Sequence, residues 1–162
     1  MQAELNHVKP GLAMVLAGLL FGIGLGVSFE TAGDAYMNHI TSGLNAHPEL
    51  HDDKSMGIIW RYSRRAHFHA TGIAAFSIGL ILLIMASGLK KRLKSMTAVL
   101  IGLGSFYPLS LFTLFILAPD MGRAAAHEYI LTKLFTYVGV GGLLAGLFIL
   151  LANLFLGLFR DE

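Results

Sequence analysis

Residues 59–79 read IWRYSRRAHFHATGIAAFSIG, a basic and aromatic approach that runs straight into an uncharged apolar segment. After Arg65 no Lys, Arg, Asp or Glu occurs until Lys90. A helix needs about 20 residues to cross a hydrocarbon core of roughly 30 Å, so this stretch is long enough to span a membrane. His67 and His69 stand at its mouth. Imidazole is the commonest metal ligand and a regular axial partner of haem iron, so a functional reading starts there.

Three more uncharged windows lie outward from this one, at residues 11–29, 95–119 and 134–159. Charged residues make up only 14% of the 162, and the mean hydropathy is +0.66, well above that of a soluble domain. In lipid every backbone polar group must be bonded internally, so windows of this length read as helices. The expected fold is therefore all-α. It is a single integral membrane four-helix bundle over residues 1–162, up-down-up-down, with spans at about 11–30, 66–89, 95–118 and 130–158. One long histidine-rich loop is expected between the first two spans. The first window follows a single Lys9 and shows no clear cleavage site, so it reads as a span and not as a cleaved signal. The absence of cysteine excludes disulfides, thiolate ligands, iron–sulfur clusters and covalent c-type haem. The net charge of +2 sits in short clusters and forms no nucleic-acid-binding face. The expected partners are the lipid bilayer and either a larger membrane complex or a second copy of the chain.

Small residues mark where helices approach closely. Gly18, Gly22 and Gly26 form one stripe, and Gly142 and Gly146 form another. Pro10 suits the first turn of the first helix, Pro108 is expected to kink the third, and Asp120 is a plausible cap. Four spans put both termini on one side with the cluster Lys90, Lys91, Arg92 and Lys94. Lys and Arg count six on each side, so the dense short turn decides the orientation. The termini are then expected in the cytoplasm, with the chain in the bacterial inner membrane. Arg61, Arg64 and Arg65 fall on the opposite side, where basic residues are disfavoured. Snorkelling to lipid phosphate is their ordinary explanation, and pairing with haem propionates or another anion is the sharper one.

The same topology brings His39, His47, His51, His67, His69 and His127 to one membrane face, leaving only His7 elsewhere. Residues two apart on a helix point roughly 160° from one another, so His67 and His69 cannot both face one central site unless the first turn unwinds. His69 shares its face with Gly72 and Gly79, and His127 is expected to continue into the face of Leu131, Leu134 and Val138. Glu128 reads as a proton carrier or a partner for Arg123. Two chemistries compete. In one, His69 and His127 are axial ligands of a non-covalent haem b, with propionates near Arg61, Arg64 or Arg65. In the other, His67, His69 and His127, helped by His47, Glu49 or His51, hold copper or zinc. The H–x–H spacing lacks the H–E–x–x–H pattern of metalloproteases.

The segment RAHFHATGIAAFSIG, residues 65–79, resembles the histidine-bearing spans of the haem–copper oxidase superfamily and of small four-helix membrane proteins distantly similar to it. That resemblance implies a haem held between helices by histidines near one membrane face. The further helices and the tight histidine pair of the full catalytic subunits are missing, so the resemblance points to a lone haem or metal site. The expected function is redox or electron transfer. A non-catalytic accessory or assembly subunit of a larger membrane complex is the alternative.

Overall fold

The computed structural model describes residues 2–159, and within them it is all-helical. The order is α1 (Gln2–Thr31), α2 (Gly33–Ala46), a 3-10 turn (Pro48–Leu50), α3 (Ser55–Ala86), α4 (Lys91–Gly102), a second 3-10 turn (Leu103–Ser105), α5 (Phe106–Glu128) and α6 (Ile130–Leu156). Four helical segments are long and apolar enough to cross a membrane: Glu4–Thr31, Ser55–Ala86, Lys91–Glu128 and Ile130–Leu156. Large apolar side chains face outward along them, among them Leu20 (69% exposed), Leu82 (59%) and Phe155 (80%). A water-soluble monomer does not carry so continuous an apolar surface, and a lipid-facing bundle does. This is the organisation of an integral membrane protein.

The fourth span begins where expected, at Ile130, and the other three depart from their expected boundaries. α1 begins at Gln2, and Pro10 lies in its interior, exposed, instead of in its first turn. Residues 2–9 are mostly good helix formers, and Val8 is fully buried, so tertiary contact extends the helix backwards. The connection expected as a long loop is largely helical, because α2 occupies residues 33–46. α3 starts at Ser55, not at residue 66. The Asp52 carboxylate accepts from the Ser55 hydroxyl at 2.7 Å and from the Lys54 amide at 3.2 Å, which closes the turn that launches it. At 32 residues α3 is about 48 Å long. The stretch Ile59–Arg65 is therefore one helix with the span it precedes.

The third span runs on to Glu128, ten residues beyond its expected end. Pro108 leaves its mark as the 3-10 turn at Leu103–Ser105 just before it. The sharp break falls elsewhere, at Gly122, whose φ of 78° and ψ of 157° sit in a region open only to glycine. A one-residue corner at Tyr129 then leads into α6. Asp120 caps nothing and is exposed within α5.

The glycine stripes are the contact lines between helices. A Cβ on Gly22 would lie 2.8 Å from the Ala70 Cβ, and one on Gly26 would lie 2.8 Å from the His67 ring. A Cβ on Gly146 would sit 2.8 Å from Ile101. Lipid tails are as apolar as leucine, so close backbone packing and polar contacts must hold the bundle together. One such contact is buried at the end where the chain begins. Lys94, 7% exposed, donates to Glu4 at 2.6 Å and to the Met85 carbonyl at 3.0 Å, tying α1, α3 and α4. Near the other end the packing is aromatic, with Tyr36 against Phe115, Trp60 and Phe29.

Candidate functional site

Three of the six grouped histidines fasten their own segment of the chain to the backbone of a helix distant in sequence. A carbonyl can only accept, so each ring nitrogen facing one carries the proton. His67 Nδ1 donates to the Gly22 carbonyl of α1 at 2.7 Å, which also explains why no side chain fits at Gly26. His39 Nε2 donates to the Ile116 carbonyl at 3.1 Å, and His51 Nε2 to the Pro119 carbonyl at 2.8 Å. A positive-φ residue interrupts the helical ladder, and carbonyls in the turn before it need other donors. Pro119 lies three residues before Gly122, and His51 supplies one. Gly43 packs directly on Pro119, and Arg123 bonds Asp52 at 3.0 Å. Together these contacts clasp α2 and the following turn over the broken part of α5. The Ser55 hydroxyl, with the Arg123 guanidinium beside it, holds the Asp52 carboxyl below its usual range. His47 stands apart at the surface, 3.8 Å from Glu49.

His69 and His127 are the two imidazoles turned elsewhere. His69 Nδ1 donates to the Arg65 carbonyl at 2.9 Å, which leaves Nε2 as the nitrogen open to a ligand. Its ring meets Tyr107 of α5 edge to face, with centroids 5.3 Å apart. His67 and His69 thus point to different helices, α1 and α5, as residues two apart on one helix must. His127 lies in the last turn of α5, before the corner, and does not share the face of Leu131, Leu134 and Val138 on α6. Its Nε2 is 3.2 Å from the Tyr62 hydroxyl. Tyr62 and His69 are seven residues apart on α3, so their α-carbons are about 10 Å apart along its axis. The two imidazoles therefore share the side of α3 that faces α5, each against its own tyrosine.

Separately, α5 and α6 enclose a cleft of about 310 Å³ whose lining includes Tyr107 and His127 and no residue of α3. Glu128 pairs with Lys133 at its rim, and Arg123 is engaged with Asp52 instead. Arg61, Arg64 and Arg65 are exposed, and among the described residues none of them makes an ion pair. Among the described residues no three His, Asp or Glu side chains come together as a metal-holding group. His47, Glu49, His51, His67, His69 and His127 are thus spread over several contacts. The contacts with Tyr62 and Tyr107 and the clasp on Pro119 had no signal in the sequence, because each joins residues 20 or more positions apart.

No family model matches the chain, and neither the curated proteins nor the solved structures contain a significant match to it.

Proposed function

We propose that this chain binds haem b non-covalently and serves a redox or electron-transfer role in the bacterial inner membrane. The spans would run up-down-up-down with the termini in the cytoplasm, and the His69 end would lie on the opposite face. The observation that carries the reading is His69 itself. It is half-buried in a span, its Nδ1 proton is committed to a backbone carbonyl, and among the described residues its Nε2 lone pair has no partner. A hydrogen bond of that kind fixes the tautomer and orientation of metal-bound histidines. His69 would be the axial ligand, with His127 the candidate for a second. Arg65 and Arg61, one and two turns earlier on α3, would neutralise propionates. The bound haem would supply one-electron chemistry.

The contacts between helices support the alternating arrangement. Along α1 from Gly22 to Gly26 the partners on α3 run backwards, from Ala70 to His67, whereas Gly11 and Gly18 meet Ala98 and Ser105 in forward order.

An absorption spectrum and metal analysis of the detergent-purified protein test the proposal. A Soret band that disappears in His69→Ala is the expected outcome. Stoichiometric copper or zinc without that band would move the site to a metal ion. Neither signal would favour a non-catalytic accessory subunit, a reading that the use of His39, His51 and His67 as helix clasps supports.

A further inference from the structure

The outward face of α3 carries charge that nothing in the chain answers. Arg61, Arg64 and Arg65 are all exposed, and among the described residues no carboxylate pairs with any of them. Of the acidic residues just ahead of α3, Asp52 is taken by Arg123. Beyond Arg65 the helix holds no further charge to its end at Ala86, so the three guanidiniums mark where the span passes from headgroups into hydrocarbon.

Helical spacing sets what lies beneath them. Phe68, Gly72, Ala75, Phe76 and Gly79 continue the same face, all exposed, opposite the buried row of Ala66, Ala70, Ile73 and Ser77. Phe68 is 64% exposed and Phe76 47%. Gly72 and Gly79 differ from the glycines that seat one helix on another. A Cβ on Gly22 or Gly26 would strike a neighbour, whereas a Cβ on Gly72 or Gly79 would meet nothing within 4 Å. These two lie seven residues apart, so a bare strip about 10 Å long runs down the helix below the arginines.

A strip of small residues also admits a second helix, and charge decides between the occupants. Two copies joined along α3 about an axis normal to the membrane would set their guanidiniums against one another at the same depth, and like charges there repel. A lipid brings a phosphate to that depth and an apolar chain below it. A zwitterionic headgroup returns a cation to the same place, and a net-negative one does not.

We infer that the outward face of α3 holds one anionic phospholipid, with Arg64 as the principal contact of its phosphate, Arg61 beside it, and an acyl chain along the strip of Gly72 and Gly79. The haem reading draws on Arg61 and Arg65. Arg64 lies roughly 140° around the helix from His69 and is outside that reading, so the inference needs only the membrane placement.

Native mass spectrometry tests it on the full chain, released from detergent after titration with phosphatidylglycerol or with phosphatidylcholine of the same acyl chains. One phosphatidylglycerol per chain is expected to be retained in preference to phosphatidylcholine. Arg64→Gln is expected to weaken that retention about fivefold, and Arg64→Lys, which keeps the charge, to lose less. Gly72→Leu fills open space and blocks the strip, so it too is expected to weaken retention. Equal retention of the two lipids would reduce the arginines to ordinary snorkelling and overturn the inference, as would unchanged retention in Arg64→Gln. Gly72→Cys covers the competing occupant. The chain has no other cysteine, so a disulfide-linked dimer formed in a membrane would place a second copy on the strip and overturn the inference. Melting curves of each variant in lipid-free detergent separate lost binding from lost folding. A Soret band in a protein with no preference for phosphatidylglycerol would sink this inference alone. Arg64-dependent retention without that band would sink only the haem reading.

Discussion

His67 and His69 stand two positions apart in the sequence and do different work, because helical geometry sends their rings to different neighbours. His67 holds α3 to the Gly22 carbonyl of α1, while His69 keeps Nε2 free beside Tyr107. The sequence could say that the two rings diverge. It could not say which would be occupied, since that depends on a carbonyl 45 residues away. Asp52 offers the clearest pH test at this scale. Its carboxyl is held below the ordinary 3.8, first by the Ser55 hydroxyl and then by Arg123. A carboxylate with a depressed folded value stabilises the protein fully above the unfolded value and loses that contribution as pH falls through the folded one. Asp52→Asn is therefore expected to lower the melting temperature at neutral pH. The difference from wild type should shrink once pH drops below 3.8 and close at more acidic values. A difference that stayed constant down to the acid limit would mean that Asp52 acts through shape and not charge. The group is exposed, so the effect is small.

At the scale of elements, α5 departs furthest from expectation. Pro108 looked like the place to bend the third span, yet the structure absorbs it in a short 3-10 turn and breaks at Gly122. His127 lies beyond the break and meets Tyr62 of α3 at 3.2 Å. Gly122→Ala puts a side chain on a φ of 78° and ψ of 157°, at a cost of about 1–3 kcal/mol. The expected result is a lower thermal midpoint by circular dichroism. Loss of the haem signal should accompany it, because His127, the candidate second ligand, follows the break. An unchanged midpoint would show that the bundle tolerates a straightened α5. α2 was legible only as a ligand-rich connection. Its helix is secured by packing Gly43 against Pro119 and by the His39 and His51 bonds, none of which leaves a local pattern.

For the whole molecule the apolar side chains exposed along the four long helices are the dominant fact, and topology is the property most open to test. The chain has no cysteine, so single replacements can be labelled without background. Asp53→Cys before α3 and Gly88→Cys in the turn after it are expected to react from opposite sides of the membrane, with Asp53→Cys outside. Labelling of both from one side would remove the alternating arrangement and the proposed placement of the termini. The basic cluster that suggested the orientation is itself divided by the fold, since Lys94 turns inward to Glu4 while Lys90, Lys91 and Arg92 remain exposed. By itself the sequence determined the all-helical class and the number of spans. Lipid demands about 20 uncharged residues per crossing, and that requirement is written in composition. Only the tertiary structure decided where the helices truly begin and break, and which imidazoles are spent on backbone carbonyls. Those outcomes depend on groups distant in the chain meeting at a few ångströms, and no local pattern encodes such distances.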